Sequence, residues 1–344
     1  MLKEILESRG VPALKTREEM LDMLHKEEYG YMPPKPDKLC WEEKTISSNF
    51  CAGKAVLKKV TITAEIYGES FSFPCRAAIP TKDGKYPFFI YISFGSEIDA
   101  FLPVQEIIDN GFAFLMVNYE DVTNDKDDFD NGLAGIITRH CGRGTTTPGK
   151  LAMWAWAAQR VMDYAQSIDK LDLSHATVCG HSRLGKTALL CAATDERFFL
   201  GYSNNSGCSG AAIARGTKGE TIRDISDVRF PYWFCTTYRN YIDREDEMPF
   251  DQHWLIACLA PRRAYVASAR DDQWADPENE FLGCVGASPV YAQYGKDGFV
   301  SPDRFPEVGD VFHDGDIGYH LRAGKHCIAR EDWQKVMAYI KKHI

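Results

Sequence analysis

The first half of the chain alternates between apolar runs and short helical patterns. Residues 54–67 alternate apolar and polar positions, and residues 70–79 follow as a second run of this kind. Continuous apolar runs come next at 87–94 and 112–117, with a helical segment at 104–110 between them. Alternation predicts antiparallel strands, whereas continuous apolar runs predict parallel strands buried on both faces. The order of strand, helix and strand predicts a doubly wound α/β sheet.

The second half continues this order after a glycine-rich segment. An amphipathic helix is predicted at 151–167, buried strands at 200–203 and 263–269, and a final helix at 330–343. Residues 215–254 are irregular and rich in aromatic side chains, so they interrupt the rhythm of strands and helices. We predict that this stretch is an insertion over the carboxyl edge of the sheet.

The N-terminal residues are predicted to form a separate extension. Residues 1–30 carry a helical pattern, and Thr16 with Glu19 fits a capping box at a helix start. Three prolines in the following YMPPKPDK forbid regular structure there. We predict a helical extension with a proline-rich strap over residues 1–50 and a single catalytic domain over residues 51–344.

Composition narrows the function classes. The formal net charge of −9 argues against general binding to nucleic acid or anionic membranes, and no apolar run approaches membrane-spanning length. The start, MLKEILESRG, lacks an apolar signal core, so we expect a cytoplasmic protein. The 11 cysteines are scattered without a CxxC pair, which favours small buried hydrophobic residues, such as Cys179 and Cys191, over a zinc site or a disulfide framework. We expect no metal and no cofactor, and the sequence leaves the oligomeric state open.

The stretch VCGHSRLGKTALL, residues 178–190, lies where a β-type run meets a helical pattern. It fits a nucleophile elbow, the tight strand-to-helix turn that exposes a serine, here Ser182, in α/β hydrolases. Gly180, Gly185, Lys186 and the following threonine also fit the phosphate-binding P-loop. Both patterns require a strand, a turn and a helix, so the local sequence leaves both open.

The order of residues along the rest of the chain favours the hydrolase. Such an enzyme needs a nucleophile, then an acid, then a histidine, and Ser182 is followed by Asp271, Asp272, Asp276 and His326. A P-loop enzyme needs a carboxylate for magnesium, and the strand after the elbow ends in asparagines instead. We predict a three-layer α/β-hydrolase fold with a mostly parallel central sheet, and a serine esterase.

Six segments resemble the glucuronoyl esterases, carbohydrate esterase family 15, in their bacterial branch. They are GHSRLGK, SNNSGCSGAA, FPYWF, DQHWLIACLAPR, WADP and GYHLRAGKH, and the similarity runs from about residue 85 to the C-terminus. An arginine directly after the nucleophile and a lysine after the following glycine are marks of that family. The resemblance implies hydrolysis of the ester between (4-O-methyl-)glucuronic acid, which decorates xylan, and an alcohol, which in plant cell walls belongs to lignin.

The resemblance also selects among the triad candidates. It places the catalytic histidine at His326 rather than His320, as the base that activates Ser182. It points to Asp276, in WADP, as the carboxylate that orients this histidine. Fungal members carry a glutamate at the position that aligns with Asn205, and an amide cannot supply that negative charge.

Residues around the elbow are candidates for the oxyanion and the sugar. The backbone N–H of Arg183 would donate to the oxyanion, and the resemblance adds its guanidinium. The backbone N–H of Gly95 or of Ser96 would be a second donor. Lys186 resembles the family lysine that contacts sugar hydroxyls. Trp274 and Trp233 would form an apolar wall against the sugar or the alcohol.

Two alternatives concern the substrate and an acidic loop. An acetyl ester of xylan, or another small carboxylic ester, would use the same serine chemistry in a different pocket. The acidic segment 121–130 lacks the glycine-anchored spacing of an EF-hand calcium site, so we expect a solvated loop there.

Overall fold

The computed structural model describes residues 1–99 and 102–344, and a ten-stranded sheet runs through its centre. The strands are β1 (Lys38–Phe50), β2 (Ala55–Ile66), β3 (Glu69–Pro80), β4 (Tyr86–Ser93), β5 (Ala113–Asn118), β6 (Leu171–His181), β7 (Leu200–Asn204), β8 (Arg263–Ala269), β9 (Val311–Phe312) and β10 (Ile317–Arg322). Their order across the sheet is β1-β2-β3-β5-β4-β6-β7-β8-β10-β9.

The α-helices pack on both faces of this sheet. They are α1 (Leu2–Ser8), α2 (Arg17–Leu24), α3 (Val104–Asp109), α4 (Gly132–Cys141), α5 (Lys150–Ala165), α6 (Arg183–Thr194), α7 (His253–Ala257), α8 (Pro277–Tyr291) and α9 (Arg330–His343). Apolar residues of α3 and α9 form the core on one face, and those of the other helices form a larger core on the opposite face. The architecture is therefore three-layered.

Strand direction follows the hydrophobic pattern of each strand. The strands β5, β4, β6, β7, β8 and β10 are parallel neighbours, and β4 is buried over most of its length. The strands β1, β2 and β3 pair antiparallel, and β2 alternates buried and half-buried residues. The predicted α/β-hydrolase fold with a mostly parallel sheet is confirmed.

The N-terminal extension is shorter than predicted. Thr16 and Glu19 form the capping box of α2, and a five-residue π-helix at His25–Tyr29 follows that helix. The proline-rich strap then leads into β1 at Lys38, which pairs with β2. The sheet thus begins before the predicted boundary at residue 50, because β1 supplies its outermost strand.

The predicted insertion contains short turns of helix and no strand between residues 215 and 252. A π-helix covers Asp224–Val228, and 3-10 turns cover Thr236–Tyr241 and Glu245–Glu247. This stretch lies over the carboxyl edge of the sheet, because Phe230 and Trp233 line a cavity above the end of β6.

All 11 cysteines lie within the described residues and are free thiols, and Cys179 and Cys191 are buried. Among the helices that the structure describes, none has the length and apolarity to cross a bilayer.

His253, at the start of α7, predicts a loss of stability in acid. Its side chain is buried, and burial lowers the pKa of His253 to about 4 from the usual 6.5. Between pH 6.5 and 4 the unfolded chain binds a proton that the folded state excludes, so the free energy of unfolding falls as the pH falls, by up to about 3 kcal/mol. Above this range both states are neutral, and the contribution is constant.

The His253→Gln variant should therefore lose less stability than the parent between pH 6.5 and 4. Chemical denaturation at several pH values measures the slope, which a single proton changes by about 1.4 kcal/mol per pH unit. Equal slopes in the two proteins would show that His253 carries its proton in the folded state.

Candidate active site

Ser182 lies at the junction of β6 and α6 with a positive φ, at φ 58° and ψ −130°. The turn is tight enough that a Cβ on Gly180 would lie 2.1 Å from the carbonyl oxygen of Leu184, which explains the glycine. The N–H of Ser182 donates to the carbonyl oxygen of Asn204 at the end of β7, at 2.8 Å. The elbow is therefore tied to the neighbouring strand, and it presents the serine at the carboxyl edge.

His326 connects Ser182 to a buried carboxylate. Its Nδ1 lies 2.5 Å from Oδ2 of Asp272, and its Nε2 lies 2.9 Å from Oγ of Ser182. An ionised carboxylate only accepts hydrogen bonds, so Nδ1 carries the hydrogen and Nε2 is free to accept from the serine hydroxyl. The Asp272 side chain is 2% exposed, which shields this contact from water.

Asp276, the residue predicted to contact the histidine, has a different position. It caps α8, where its carboxylate accepts from the backbone N–H groups of Asn279 at 3.2 Å and Lys218 at 2.7 Å. The prediction that Asp276 contacts His326 is therefore wrong. The carboxylate that hydrogen-bonds this histidine is Asp272, in the same loop after β8. An aspartate directly before a proline is a typical helix start, and Asp276 with Pro277 carries that signal.

Asn205 and Arg322 hold the loop that carries His326 through its backbone. The amide nitrogen of Asn205 donates to the carbonyl oxygen of Cys327 at 3.2 Å, and a guanidinium nitrogen of Arg322 donates to the same oxygen at 2.5 Å. The guanidinium also pairs with the buried Asp332 of α9. A carboxylate in place of Asn205 would face this carbonyl oxygen, so the amide fits here as a donor.

His181 is a second imidazole beside the first. Its ring centroid lies 4.5 Å from that of His326, and its Nδ1 donates to Oδ1 of Asn204 at 2.7 Å. Burial, with a smaller effect of the neighbouring His326, lowers the pKa of His181 to about 4. His181 is thus neutral near pH 7, and it does not add a second positive charge beside His326.

A cavity of about 190 Å³ opens over Ser182 and His326. Residues from the elbow, from the insertion and from the loops after β7 and β8 form its wall. They are Arg183, Lys186, Asn205, Glu220, Arg229, Phe230, Trp233, Trp274 and Ala275. The structure therefore brings the predicted Ser182, His326, Arg183, Lys186, Trp233 and Trp274 to one cavity.

Lys186 forms a buried ion pair in this wall. Its Nζ donates to Glu220 at 2.5 Å and to the carbonyl oxygens of Ser206 and Cys208 at 2.5 and 2.6 Å. Burial raises the pKa of Glu220, and the ammonium beside it opposes that effect. In a P-loop the lysine reaches for phosphates, whereas here its three N–H groups are already engaged by oxygen atoms of the chain.

Arg183 supplies the first backbone N–H of α6 and places its side chain in the cavity wall. Its guanidinium lies 4.7 Å from the ring centroid of Trp233 and donates to the carboxylate of Asp125. The Asp125 side chain is 7% exposed, so the expectation of a solvated loop fails at this residue. The N–H of Gly95 donates to Oγ of Ser93 and is already engaged.

The two tryptophans occupy different parts of the wall. Trp233 is buried and stacks on Phe230, with ring centroids 3.8 Å apart. Trp274 is 39% exposed, and the guanidinium of Arg229 lies 4.6 Å from its ring centroid. Trp274 and Arg229 thus form a rim that is both apolar and cationic.

Several residues of the site escaped the sequence analysis. Asp125, Glu220 and Arg229 lie in loops whose path no periodicity predicts, and each is one acidic or basic residue among many. In the sequence, the helix-start signal at Asp276 was the only feature that distinguished this aspartate from Asp272 as a partner for His326.

Known proteins similar to this chain point to one family. The family model described as "Glucuronyl esterase, fungi" matches residues 60–295. The carbohydrate esterase MZ0003, from an unknown prokaryotic organism, is 39% identical over 70% of this chain and 56% of its own length. A 4-O-methyl-glucuronoyl methylesterase of Hypocrea jecorina is 28% identical over 78% of this chain and 55% of its own length. The chain thus spans about half the length of these curated relatives.

Solved structures agree over a longer stretch. A glucuronoyl esterase from Solibacter usitatus is 33% identical, with a TM-score of 0.87 over 95% of this chain and 92% of that chain. An esterase of the same family from a marine bacterial metagenome, described as promiscuous, is 30% identical, with a TM-score of 0.86 over 96% of this chain and 91% of that chain.

The contacts of His326 predict how reactive Ser182 is. A fluorophosphonate probe should label Ser182, because the imidazole accepts its proton during attack on phosphorus. Asp272→Asn should slow this labelling by orders of magnitude, because the amide favours the wrong tautomer of the histidine. Intact-protein mass spectrometry over time measures the rate.

Asp276→Asn is the matched control from the same loop. It should label at nearly the parental rate, because its carboxylate caps a helix and does not contact His326. Faster labelling of the Asp272 variant than of the Asp276 variant would contradict the geometry.

Proposed function

This chain belongs to the glucuronoyl esterase family, and we propose that it hydrolyses carboxylic esters of glucuronic acid through an acyl-enzyme. The observation that most directly supports this substrate is the buried pair of Lys186 and Glu220 in the cavity wall. The cavity holds Ser182 on one side and this charged pair on another. A site for a small apolar acyl group would not require such a pair.

The first chemical step uses the contacts of His326. As Oγ of Ser182 attacks the ester carbonyl carbon, Nε2 of His326 takes the hydroxyl proton. Asp272 accepts the Nδ1 hydrogen and stabilises the imidazolium that forms. The tetrahedral intermediate then expels the alcohol, which receives the proton from Nε2, and the glucuronoyl group stays on Ser182.

The second step releases the acid. Water attacks the acyl carbonyl while His326 again accepts a proton, and the collapse of this intermediate returns the proton to Oγ of Ser182. The net reaction consumes one water and yields glucuronic acid and the alcohol. In both steps the oxyanion would meet the backbone N–H of Arg183, at the positive end of α6, and its guanidinium.

Glu220 would recognise the sugar, and Lys186 would hold this carboxylate in place. A carboxylate accepts hydrogen bonds from sugar hydroxyls, and the neighbouring ammonium opposes the rise that burial causes in the pKa of Glu220. The indole of Trp274 would pack against the sugar or the alcohol, since it lies at the rim and is partly exposed. We propose further that the glucuronate is attached to xylan and that the alcohol belongs to lignin.

Hydrolysis of an acetyl ester is the second candidate, because the same Ser182 and His326 would perform it. We expect the purified protein to hydrolyse benzyl or methyl glucuronate with a higher kcat/KM than 4-nitrophenyl acetate. Acid release followed by pH-stat titration measures both esters in the same way. The opposite preference would favour the acetyl esterase.

Ser182→Ala tests the nucleophile on the same two esters. Loss of nearly all turnover is expected, because a methyl group can neither attack the carbonyl nor form the acyl-enzyme. Full activity of this variant would rule out Ser182 as the nucleophile.

Glu220→Gln tests sugar recognition. It keeps the shape of the side chain and removes its charge, so kcat/KM for the glucuronate ester should fall roughly 10- to 100-fold, as expected for one hydrogen bond to a charged group. Hydrolysis of 4-nitrophenyl acetate should change little. Glu278→Gln is the control, because Glu278 pairs with Lys218 on the surface.

Similar losses on both esters in the Glu220 variant would mean that Glu220 supports the fold of the site and does not contact the sugar.

A further inference from the structure

The acidic segment 121–130 is folded around the side chain of Lys150. The Nζ of Lys150 lies 2.5 Å from the carbonyl oxygen and 2.6 Å from the side-chain oxygen of Asn124. It lies 2.6 and 2.7 Å from the carbonyl oxygens of Lys126 and Asp128. Lys150 is fully buried, and a buried charge without such partners would be costly. These contacts therefore link the segment to the start of α5.

Asp125, in the middle of this segment, points inward and collects four donors. Its Oδ2 accepts from the guanidinium of Arg183 and from the hydroxyl of Tyr119, the latter at 3.0 Å. Its Oδ1 accepts from Nε1 of Trp233 at 2.8 Å, and its carbonyl oxygen accepts from the hydroxyl of Tyr232 at 2.7 Å. Both the backbone and the side chain of Asp125 are thereby fixed.

The guanidinium of Arg183 is confined by rings as well as by this carboxylate. It lies 4.8 Å from the ring centroid of Phe230, 4.7 Å from that of Trp233 and 5.7 Å from that of Phe94. Aromatic faces attract a cation but leave it free to turn and slide, whereas a hydrogen bond to Asp125 fixes its direction. The rings and Asp125 together define one position for the charge.

We propose that Asp125 is a positioning residue that holds the Arg183 guanidinium beside Ser182, ready for the oxyanion. This inference rests on the proposed ester hydrolysis. Donors that are already in place stabilise a developing charge more than mobile donors, because they need not reorganise during the reaction. Lys150 contributes by ordering the segment that presents Asp125.

A double-mutant cycle tests whether Asp125 acts through Arg183. The proteins are the parent, Asp125→Asn, Arg183→Met and the double variant, and kcat and KM are measured on methyl glucuronate and on 4-nitrophenyl acetate. We expect Asp125→Asn to lower kcat about 10- to 100-fold on both esters with KM nearly unchanged. In the Arg183→Met background the same change should cause no further loss.

Asp127→Asn is the matched control. It removes one negative charge from the same segment, but Asp127 is exposed, so kcat should equal that of the parent. Equal losses from Asp125→Asn in the parent and in the Arg183→Met background would overturn the proposal, because Asp125 would then act independently of Arg183. An unchanged kcat in Asp125→Asn would overturn it as well.

Tyr232→Phe keeps the test available if the Asp125 variant does not fold. It removes only the hydroxyl that binds the carbonyl oxygen of Asp125, so kcat should fall by a smaller factor, and only while Arg183 is present. Equal effects with and without Arg183 would again contradict the positioning role.

The labelling rate of Ser182 with a fluorophosphonate separates this inference from the proposed substrate. Absence of glucuronate hydrolysis by the parent would refute the proposed function. The cycle can still be completed on labelling rates, because phosphonylation also places negative charge on an oxygen near Arg183. Coupling of Asp125 to Arg183 in labelling would support positioning, and additive effects would refute it.

Discussion

The positive φ of Ser182 is the constraint on which the rest of the site depends. A non-glycine residue adopts φ near 58° only when its surroundings compensate for the strain. Here the compensation comes from the missing Cβ of Gly180, from the hydrogen bond between the Ser182 N–H and Asn204, and from the packing of α6. In return the serine projects from the sheet edge, where His326 reaches it from the loop after β10.

Buried ionisable side chains hold the loops that meet at this edge. Lys186 ties the segment after β7 to the insertion through Glu220. Glu280 of α8 accepts from the N–H groups of Ser206 and Gly207 at 2.6 and 3.1 Å, on the other side of the same segment. Each of these side chains gives up several hydrogen bonds to water and forms hydrogen bonds to the chain instead. These bonds fix the direction in which each loop runs as well as its distance from the core.

The sequence predicted the elements whose periodicity is strong and the residues that lie next to them. Arg263–Ala269 and Arg330–His343 form the predicted strand and helix, and Ser182 lies at the predicted turn. His326 follows the last core strand, but it was selected over His320 through the resemblance to the glucuronoyl esterases, and the structure places it beside Ser182. The strand, the helix and the turn depend on local spacing, which the sequence displays directly.

The sequence could not predict contacts between loops. Asp272 and Asp276 are four residues apart in one loop, and only the path of the backbone decides which carboxylate faces His326. Asp125 lies 57 positions before Ser182, in a segment whose charges suggested solvent. Nothing in that segment indicates that Lys150 enters it, because the lysine lies 22 positions after Asp128, at the start of α5.

The position of Lys150 has a consequence for how the protein responds to its medium. An acidic loop is commonly shaped by a metal ion, and its order then varies with the free concentration of that ion. Here the cation is tethered to a helix, so its effective concentration at the loop is set by the fold. The order of this loop, and with it the position of Asp125 beside Arg183, is thereby linked to the packing of α5.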